Sequence, residues 1–237
     1  MLLDQTLVII PVRNEAVTIA NVIRSLQSYG LNNIRVVDNG STDQSATAAK
    51  SVGADVIFDP VPGYGHACWV GLQQLPPQIE WILFCDGDGS DDLSQLPQFF
   101  TRQDSFDLIL GNRRATRAGR MAMTPVQNFG NWLSTFLMGL GWGLWYQDLG
   151  PLRLIRRSAL GQIQMQDRGF GWTVEMQVRA IECGLRICEL PVGYRPRQGG
   201  QSKISGTLSG SFKAGSIILS TLGRLYWRRL GQSKSRR

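Results

Sequence analysis

The chain has 237 residues, of which 43% are hydrophobic and 18% are charged, and its net charge is +7. This length and composition are typical of one large globular domain, or of a core domain with an appended segment, that buries a sizeable core. The four cysteines lack the spacing of a zinc site, and we interpret them as small buried side chains in a reducing compartment. The first residues contain neither a basic region nor a long apolar stretch, so we predict no signal peptide and a cytoplasmic protein.

Apolar runs alternate with helical patterns through the first half of the chain. Strands are predicted at residues 7–12, 34–37, 55–58, 79–85 and 106–110. The intervening helices are predicted at residues 14–30 with Asn14 as N-cap, at 41–53 with a capping box of Ser41 and Gln44, and at 64–75. This alternation predicts an α/β fold with a mostly parallel central sheet and helices on both faces.

Polar segments follow four of the predicted strands, at residues 13–15, 38–43, 86–88 and 111–113. The carboxyl ends of parallel strands lie at one edge of a sheet, and ligands of open α/β sheets bind there. We therefore expect the four segments to meet at this edge and to form a ligand crevice.

The acidic segment at residues 86–92 contains four carboxylates and directly follows a predicted buried strand. Mg²⁺ is commonly held by one or two carboxylates together with the phosphates of a bound substrate. The position of the segment therefore favours a site for a metal ion and a diphosphate, and the alternative is a solvated acidic turn. An EF-hand is excluded, because Asp91 and Pro97 stand where that calcium loop requires Gly and Glu.

The glycine-rich stretch at residues 63–67 is not a dinucleotide-binding or P-loop motif. The third glycine of the dinucleotide fingerprint is replaced by Cys68, and no GxxxxGK[ST] sequence occurs. His66 is the only histidine of the chain. We interpret it as a structural residue or as a neighbour of a phosphate rather than as a proton acceptor.

Charge is unevenly distributed along the chain. Residues 1–189 contain 15 Lys and Arg against 18 Asp and Glu, and the ten remaining basic residues all follow Glu189. This basic region is also apolar, with Leu222, Tyr226 and Trp227 among its residues. A basic and apolar segment fits the surface of an anionic membrane better than a nucleic acid, although a solvated basic end is an equally good interpretation.

The motifs together resemble the family-2 glycosyltransferases of GT-A fold, in the branch of the dolichyl-phosphate mannose synthases and bacterial polyprenyl-phosphate glycosyltransferases. The resemblance covers roughly residues 5–215. It is carried by VIIPVRNE (8–15), VVDNGSTD (36–43), GYGHA (63–67), DGDGSDD (86–92), LGNR (110–113), DLGPLR (148–153) and RQGGQSKISGT (197–207).

The resemblance implies a role for each matching residue. It assigns the nucleotide-sugar donor to Pro11, Arg13, Glu15, Asp38, Asn39, Gly65, Asp86, Gly87 and Asp88. The metal ion, Mg²⁺ or Mn²⁺, is assigned to Asp86 and Asp88. Catalytic roles are assigned to Asp88, Arg113, Glu175 and Lys203, and contacts with phosphates or the acceptor to Arg113, Asp148, Arg153, Arg197 and Lys203.

Three departures from the family pattern limit what the resemblance implies. Asn39 stands where a second Asp is usual, Gly87 stands where Ala is usual, and the residues after the D-x-D motif lack the usual His and Pro. The resemblance therefore supports the type of reaction more strongly than it supports the identity of the sugar or of the nucleotide base.

The reaction implied is metal-dependent transfer of a hexose, with inversion, from UDP-glucose or GDP-mannose to a polyprenyl or dolichyl phosphate. The alternatives are a hydroxyl acceptor, which needs a base such as Glu175 or Asp148, and a sugar nucleotidyltransferase. The catalytic domain is expected to cover residues 1–206, followed by a basic, apolar helix at 207–237 on the cytoplasmic membrane face.

The uncharged segment at residues 129–146 contains three Trp and four Gly in 18 residues. It is marginal for a membrane span, which takes about 20 residues. We interpret it as a helix or helical hairpin beside the acceptor groove that dips into the bilayer, and the alternative is a packed core helix.

Overall fold

The computed structural model describes residues 3–196 and 208–235, and there a seven-stranded sheet carries helices on both faces. The strands are β1 Thr6–Val12, β2 Ile34–Asp38, β3 Asp55–Phe58, β4 Trp81–Phe84, β5 Leu108–Asn112, β6 Arg153–Arg156 and β7 Ile187–Pro191. The helices are α1 Ile19–Ser28, α2 Ser45–Ser51, α3 Tyr64–Gly71, α4 Leu96–Thr101, α5 Arg117–Ala122, α6 Pro125–Trp142, α7 Arg157–Ile163, α8 Trp172–Glu182 and α9 Leu208–Ser235. The predicted α/β fold is confirmed.

The strand order determines which loops lie together. It is β3-β2-β1-β4-β6-β5-β7, and neighbouring strands are parallel except at β6, which is antiparallel to both β4 and β5. The carboxyl ends of the other six strands therefore lie at one edge of the sheet, together with the amino end of β6. This edge collects the polar segments that follow β1, β2, β4 and β5.

The core has one layer on each face of the sheet, and β1 contributes to both. Val8, Ile10 and Val12 pack on the face covered by α1, α2 and α4. Leu7 and Ile9 point to the opposite face, where α3, α6, α7, α8 and α9 pack. Because successive side chains of a strand alternate between faces, a strand buried on both faces is apolar at nearly every position.

The predicted N-caps of the first two helices are wrong. Asn14 has a positive φ of 56°, and its backbone N–H donates to the hydroxyl of Ser41 at 2.9 Å. Its side-chain oxygen accepts the backbone N–H of Thr42 at 2.7 Å. These residues tie the loop after β1 to the loop after β2, so α1 and α2 begin only at Ile19 and Ser45.

Residues 129–146 form most of one long helix and the turn that follows it. α6 begins with a capping box at Thr124 and ends at Gly143, whose φ of 80° is the left-handed conformation that glycine adopts readily. Of the alternatives considered for this segment, the helix is found and the hairpin is not. Among the described residues, no helix is both long and apolar enough to cross a bilayer.

The C-terminal helix α9 packs against α6 and α8 through buried Leu222 and Leu225. It is also joined to the loop before α8, because Thr221 and Arg224 donate to one oxygen of Asp167 at 2.9 and 3.0 Å. The predicted domain boundary at residue 206 lies outside the described residues.

Candidate active site

The acidic loop after β4 has a defined internal structure. Asp88 is 4% exposed, and its Oδ1 accepts hydrogen bonds from the N–H and the hydroxyl of Ser90 at 2.9 and 2.6 Å. Asp91 folds back to accept the N–H of Asp86 at 3.2 Å. Burial raises the pKa of Asp91 to about 6; the hydrogen bond from Asp86 acts against this rise, and the nearby Asp88 carboxylate adds to it.

The donor set of this loop fits a divalent ion that is shared with a substrate. Among the described residues, no group of three or more His, Cys, Asp or Glu side chains is placed to hold a metal ion. Asp86 and Asp88 supply two carboxylates at the end of a buried strand, and phosphate oxygens complete such a coordination shell. The structure is therefore compatible with an ion that binds together with a diphosphate.

Gly87, between the two aspartates, is required by packing. A Cβ at this position would lie 2.9 Å from Cγ2 of Val12. The carbonyl oxygen of Gly87 accepts the hydroxyl of Thr18 at 2.8 Å, which ties the acidic loop to the start of α1. The departure from Ala at this position therefore has a steric reason in this chain.

Arg113 and Asp148 form a buried, bidentate ion pair at the ends of β5 and of the turn before β6. Nε and Nη2 of Arg113 donate to Oδ2 and Oδ1 of Asp148, each at 2.8 Å, and the backbone N–H of Arg113 donates to Oδ2 at 2.8 Å. Burial acts to raise the pKa of Asp148, but Arg113 and the backbone N–H groups outweigh it and hold this pKa below its usual range. Asp148 is therefore a charged partner that orients Arg113 and a poor proton acceptor.

Tyr194 connects this pair to the acidic loop, and the sequence analysis did not identify it. Its ring lies under the guanidinium of Arg113, 4.9 Å from ring centroid to Cζ, and its backbone forms a β-bridge with Asp91. The next residue, Arg195, donates its N–H to the carbonyl of Ser90 at 2.9 Å. A tyrosine in a loop has no spacing signal, so only the fold shows this contact.

The loops after β1 and β2 form the opposite side of the crevice. Asp38 is 6% exposed and accepts the N–H of Ser41 at 2.9 Å, and Glu15 is 6% exposed with its N–H bonded to the hydroxyl of Ser45 at 2.7 Å. Of the other residues that the sequence assigns to the donor, Pro11 is half-buried on β1 and Arg13 is exposed. These residues lie at the sheet edge where the prediction puts them.

Gly65 lies where α3 meets the loop before α8. Its N–H donates to the carbonyl of Gly169 at 3.1 Å, and a Cβ on Gly65 would lie 2.7 Å from that oxygen. The loop that carries Gly169 is held by Glu175, whose Oε2 accepts the N–H groups of Gln166 and Asp167 at 2.9 and 2.7 Å. The absence of a side chain at Gly65 therefore permits a close backbone approach.

Two residues that the resemblance assigns to the acceptor or to catalysis are buried inside the protein, and their roles stay predictions. Arg153 is 1% exposed and donates to Gly150 O, Thr173 O and Gln177 Oε1 at 2.7, 2.8 and 3.1 Å. Burial lowers its pKa to about 10. Its described contacts are those of a core residue rather than of a phosphate ligand. Glu175 is 2% exposed and supports backbone N–H groups, so its observed contacts are structural.

Two further residues of the prediction, Arg197 and Lys203, lie outside the described residues. Their roles stay predictions from the resemblance.

A cavity of about 400 Å³ opens between α6 and the loops that carry Arg113 and Asp148. Its lining combines cationic and aromatic side chains and consists of Arg114, Arg120, Trp132, Thr135, Phe136, Trp145, Tyr146 and Gln147. Trp132 stacks on Phe136 with ring centroids 5.5 Å apart, and Phe136 contacts Trp145 at 6.0 Å. Because Arg114 and Gln147 directly adjoin Arg113 and Asp148, the cavity lies next to the ion pair.

Comparison with known proteins agrees with this geometry. Residues 7–164 match the glycosyl transferase family 2 model. An uncharacterized glycosyltransferase of Mycobacterium tuberculosis is 37% identical over 212 residues, which cover 89% of this chain and 94% of that protein. The undecaprenyl-phosphate mannosyltransferase of Micrococcus luteus is 28% identical over 219 residues, covering 87% and 90%.

A solved structure supports the fold. Glucosyl-3-phosphoglycerate synthase from M. tuberculosis, in complex with Mn²⁺, UDP and glucosyl-3-phosphoglycerate, superimposes with a TM-score of 0.72 at 21% identity, covering 92% of this chain and 78% of that one. The predicted fold type is thereby confirmed, and a divalent ion with UDP occurs in a structural neighbour. The chain belongs to glycosyl transferase family 2 and is a glycosyltransferase.

Proposed function

We propose that this enzyme transfers a hexose from a UDP- or GDP-sugar to a polyprenyl phosphate, with Mg²⁺ or Mn²⁺ as cofactor and inversion at the anomeric carbon. The observation that carries the proposal is the position of the aromatic and cationic cavity beside the Arg113–Asp148 pair. An acceptor with an anionic head and an apolar chain matches a site with both kinds of lining.

The donor is assigned to the crevice between the loops after β1, β2 and β4. Asp38 and Glu15 lie on its nucleoside side, and Asp86 and Asp88 lie on its diphosphate side. Asp86 and Asp88 would hold a divalent ion, which would supply positive charge to the diphosphate leaving group. The protein fixes Asp88 through Ser90 before the donor binds, so this carboxylate needs little reorganisation during the reaction.

Arg113 is assigned to the phosphate of the acceptor or to the transferred sugar. Asp148 holds two of its guanidinium nitrogens and Tyr194 supports one face, which leaves the guanidinium in a fixed orientation. A fixed cation beside the reacting atoms stabilises negative charge without reorganisation. Because Asp148 keeps Arg113 in place, its role is positioning rather than proton transfer.

No protein base is required in this reaction. A phosphate monoester has a second pKa of about 6 and is an anionic nucleophile at neutral pH. This agrees with the contacts of the two carboxylates considered as bases, since Asp148 is paired with Arg113 and Glu175 accepts backbone N–H groups. A lipid phosphate oxygen therefore attacks the anomeric carbon directly in the proposed mechanism, and the nucleoside diphosphate leaves from the opposite side.

The acceptor is assigned to the cavity. Arg114 and Arg120 lie at one part of the lining and attract the phosphate, while Trp132, Phe136 and Trp145 offer an apolar surface to the first isoprene units. The similarity to the undecaprenyl-phosphate mannosyltransferase of M. luteus supports this choice of acceptor.

Peripheral contact with the cytoplasmic face of a membrane is part of the proposal. α6 exposes Phe129, Trp132 and Leu140 at 61, 48 and 62%, and α9 exposes Trp227 and Leu230 at 80 and 60%. The two helices pack together, and α9 adds arginines to the same region. Tryptophan beside basic residues favours the interface of an anionic bilayer.

Transfer of labelled sugar tests the proposal. The enzyme is incubated with UDP-glucose or GDP-mannose, polyprenyl phosphate and Mn²⁺, and label is counted in the organic phase. We expect label that disappears with EDTA and with Asp88→Asn, but not with Asp104→Asn, a change at an exposed aspartate. Metal-dependent hydrolysis of the donor without labelled lipid would move the acceptor to a hydroxyl compound, and a product of retained configuration would refute the single displacement.

A further inference from the structure

A buried carboxylate with no role in the proposed reaction lies directly after β3. Asp59 is 2% exposed. Its Oδ2 accepts hydrogen bonds from Nδ2 of Asn39 at 2.9 Å and from Nδ1 of His66 at 2.8 Å, and its Oδ1 accepts the N–H of Val61 at 3.0 Å. Because a carboxylate only accepts, the tautomer of His66 that fits this contact carries its proton on Nδ1.

The side chain of Asn39 is fully used inside the protein. Besides Asp59, its amide nitrogen donates to the carbonyl of Val61 at 2.6 Å, and its Oδ1 accepts the N–H of Gly63 at 2.9 Å. Its backbone N–H donates to the carbonyl of Val12 on β1 at 2.8 Å. Asn39 therefore fastens the loop at residues 59–63 to the end of β2.

The amide at position 39 and the carboxylate at position 59 depend on each other. Asp is usual at position 39 in the family pattern, but a carboxylate there would face the carboxylate of Asp59 and the carbonyl of Val61 at hydrogen-bond distance. Like charges and paired acceptors at such a distance repel one another. The presence of Asn39 is thus explained by Asp59, and the sequence departure has a structural cause.

The loop that this cluster fixes borders the donor crevice. Residues 59–63 leave the carboxyl end of β3, next to β2 and the segment that begins at Asp38, and they lead directly into the first turn of α3. On its other side the loop meets the segment before α8, because a Cβ on Gly63 would lie 2.8 Å from the carbonyl of Arg168. Pro60, Val61 and Pro62 are exposed between these two attachments.

We infer that Asn39, Asp59 and His66 are positioning residues for the nucleoside of the donor. Asn39 and His66 act through Asp59 to hold the loop at residues 59–63, whose exposed apolar residues pack against the base. Asn39 itself is then not a nucleotide ligand, which revises its role in the sequence-based assignment. The inference rests on the proposed function only in that the crevice binds a nucleoside diphosphate.

The test exchanges the amide at position 39 and the carboxylate at position 59. Asn39→Asp, Asp59→Asn and the double variant are compared for binding of UDP and GDP in the presence of Mn²⁺ by titration calorimetry. A buried donor or acceptor without a partner lets the loop at residues 59–63 leave the conformation that binds the base, and a competent fraction of about one tenth raises Kd about tenfold. We expect about a tenfold higher Kd in each single variant and a partial recovery in the double variant, which again pairs an amide with a carboxylate but keeps the carboxylate at position 39 beside the carbonyl of Val61.

Controls separate this role from general destabilisation. Asp55→Asn changes an aspartate at the start of β3 that is 61% exposed and pairs with Arg35, and it is expected to leave Kd unchanged and to lower the melting temperature only slightly. The donor KM should rise in the single variants while kcat at saturating donor stays near the wild-type value. Single variants that bind as wild type does, or a double variant no better than either, would overturn the inference.

Two outcomes keep the test decisive. If Asn39→Asp does not fold, His66→Phe removes one donor to Asp59 and keeps an aromatic ring near Trp69, whose ring lies 5.6 Å away. An unchanged Kd in this variant would refute the role of His66 in the cluster. Failure of the wild-type enzyme to bind either nucleotide would instead refute the proposed function.

Discussion

Replacing Asp148 by Asn exchanges one oxygen for an NH₂ group and removes the charge that pairs with Arg113. Asp148 is 1% exposed and makes hydrogen bonds of 2.8 Å with both Nε and Nη2 of Arg113. Removing one partner of a buried ion pair costs about 3–5 kcal/mol. Because Asn retains one acceptor oxygen, we expect the free energy of unfolding to fall by about 3 kcal/mol.

The chain contains a matched control in the pair of Arg186 and Asp107. This pair is also bidentate, with distances of 3.0 and 2.8 Å, but the side chain of Arg186 is 54% exposed. The side chain of Asp107 is 19% exposed and solvent screens its pair with Arg186, so Asp107→Asn is expected to cost about 1 kcal/mol, less than Asp148→Asn. Urea unfolding of both variants, followed by tryptophan fluorescence, measures the difference.

The dependence on pH gives a second readout for the same variant. The pKa of Asp148 is lower in the folded protein than its ordinary value of about 3.9. A lowered pKa means that the pair stabilises the protein fully at neutral pH and loses this contribution as the pH falls below about 4. The stability gap between wild type and Asp148→Asn should narrow over that acidic range. Equal losses in Asp148→Asn and Asp107→Asn at pH 7 would refute the reasoning.

Three other changes test separate parts of the structure. Gly65→Ala should lower the free energy of unfolding by about 2 kcal/mol, because the added Cβ would lie 2.7 Å from a backbone oxygen. The control Gly130→Ala, in α6, adds a Cβ in open space and should stabilise the protein by up to about 1 kcal/mol. Thermal melts compare the two variants. Arg114→Gln should raise the KM for the lipid phosphate about tenfold without changing the donor KM, and Arg117→Gln, outside the cavity, should not. Phe129→Ser removes an exposed ring from α6 and should weaken binding to anionic vesicles about tenfold in a flotation assay; unchanged binding would contradict contact between α6 and the bilayer.

Five strands of the sheet and the acidic loop were predictable because their signals are local, whereas β6 and β7 were not predicted. Strands buried on both faces are continuous apolar runs, and β1 and β3 were predicted within one residue of their observed starts. The position of Asp86 directly after such a run was enough to place it at the sheet edge. The edge of the sheet at which a strand ends follows from the direction of that strand, so it can be predicted without knowing the side-chain contacts.

Contacts between distant segments were not predictable in this way. Arg113 and Asp148 are 35 residues apart, and Tyr194 joins them from a loop that no periodic pattern marks. The resemblance assigned Arg153 to a phosphate, yet it lies on β6, between β4 and β5, and its side chain is buried against α8. Charge identifies a residue type, and only packing decides whether that residue faces a ligand or the core.

The hydrogen bonds between α9 and Asp167 connect the C-terminal helix to the loop before α8. In a shortened protein that ends before Leu208, the core surface against which Leu222 and Leu225 pack would become exposed. Asp167 would also lose two of its hydrogen-bond donors. Asp167 accepts the N–H of Gly169, whose carbonyl accepts the N–H of Gly65, so the loss would reach the proposed donor crevice. Removal of α9 is therefore expected to disturb the proposed donor site, even though no residue of α9 is assigned to that site.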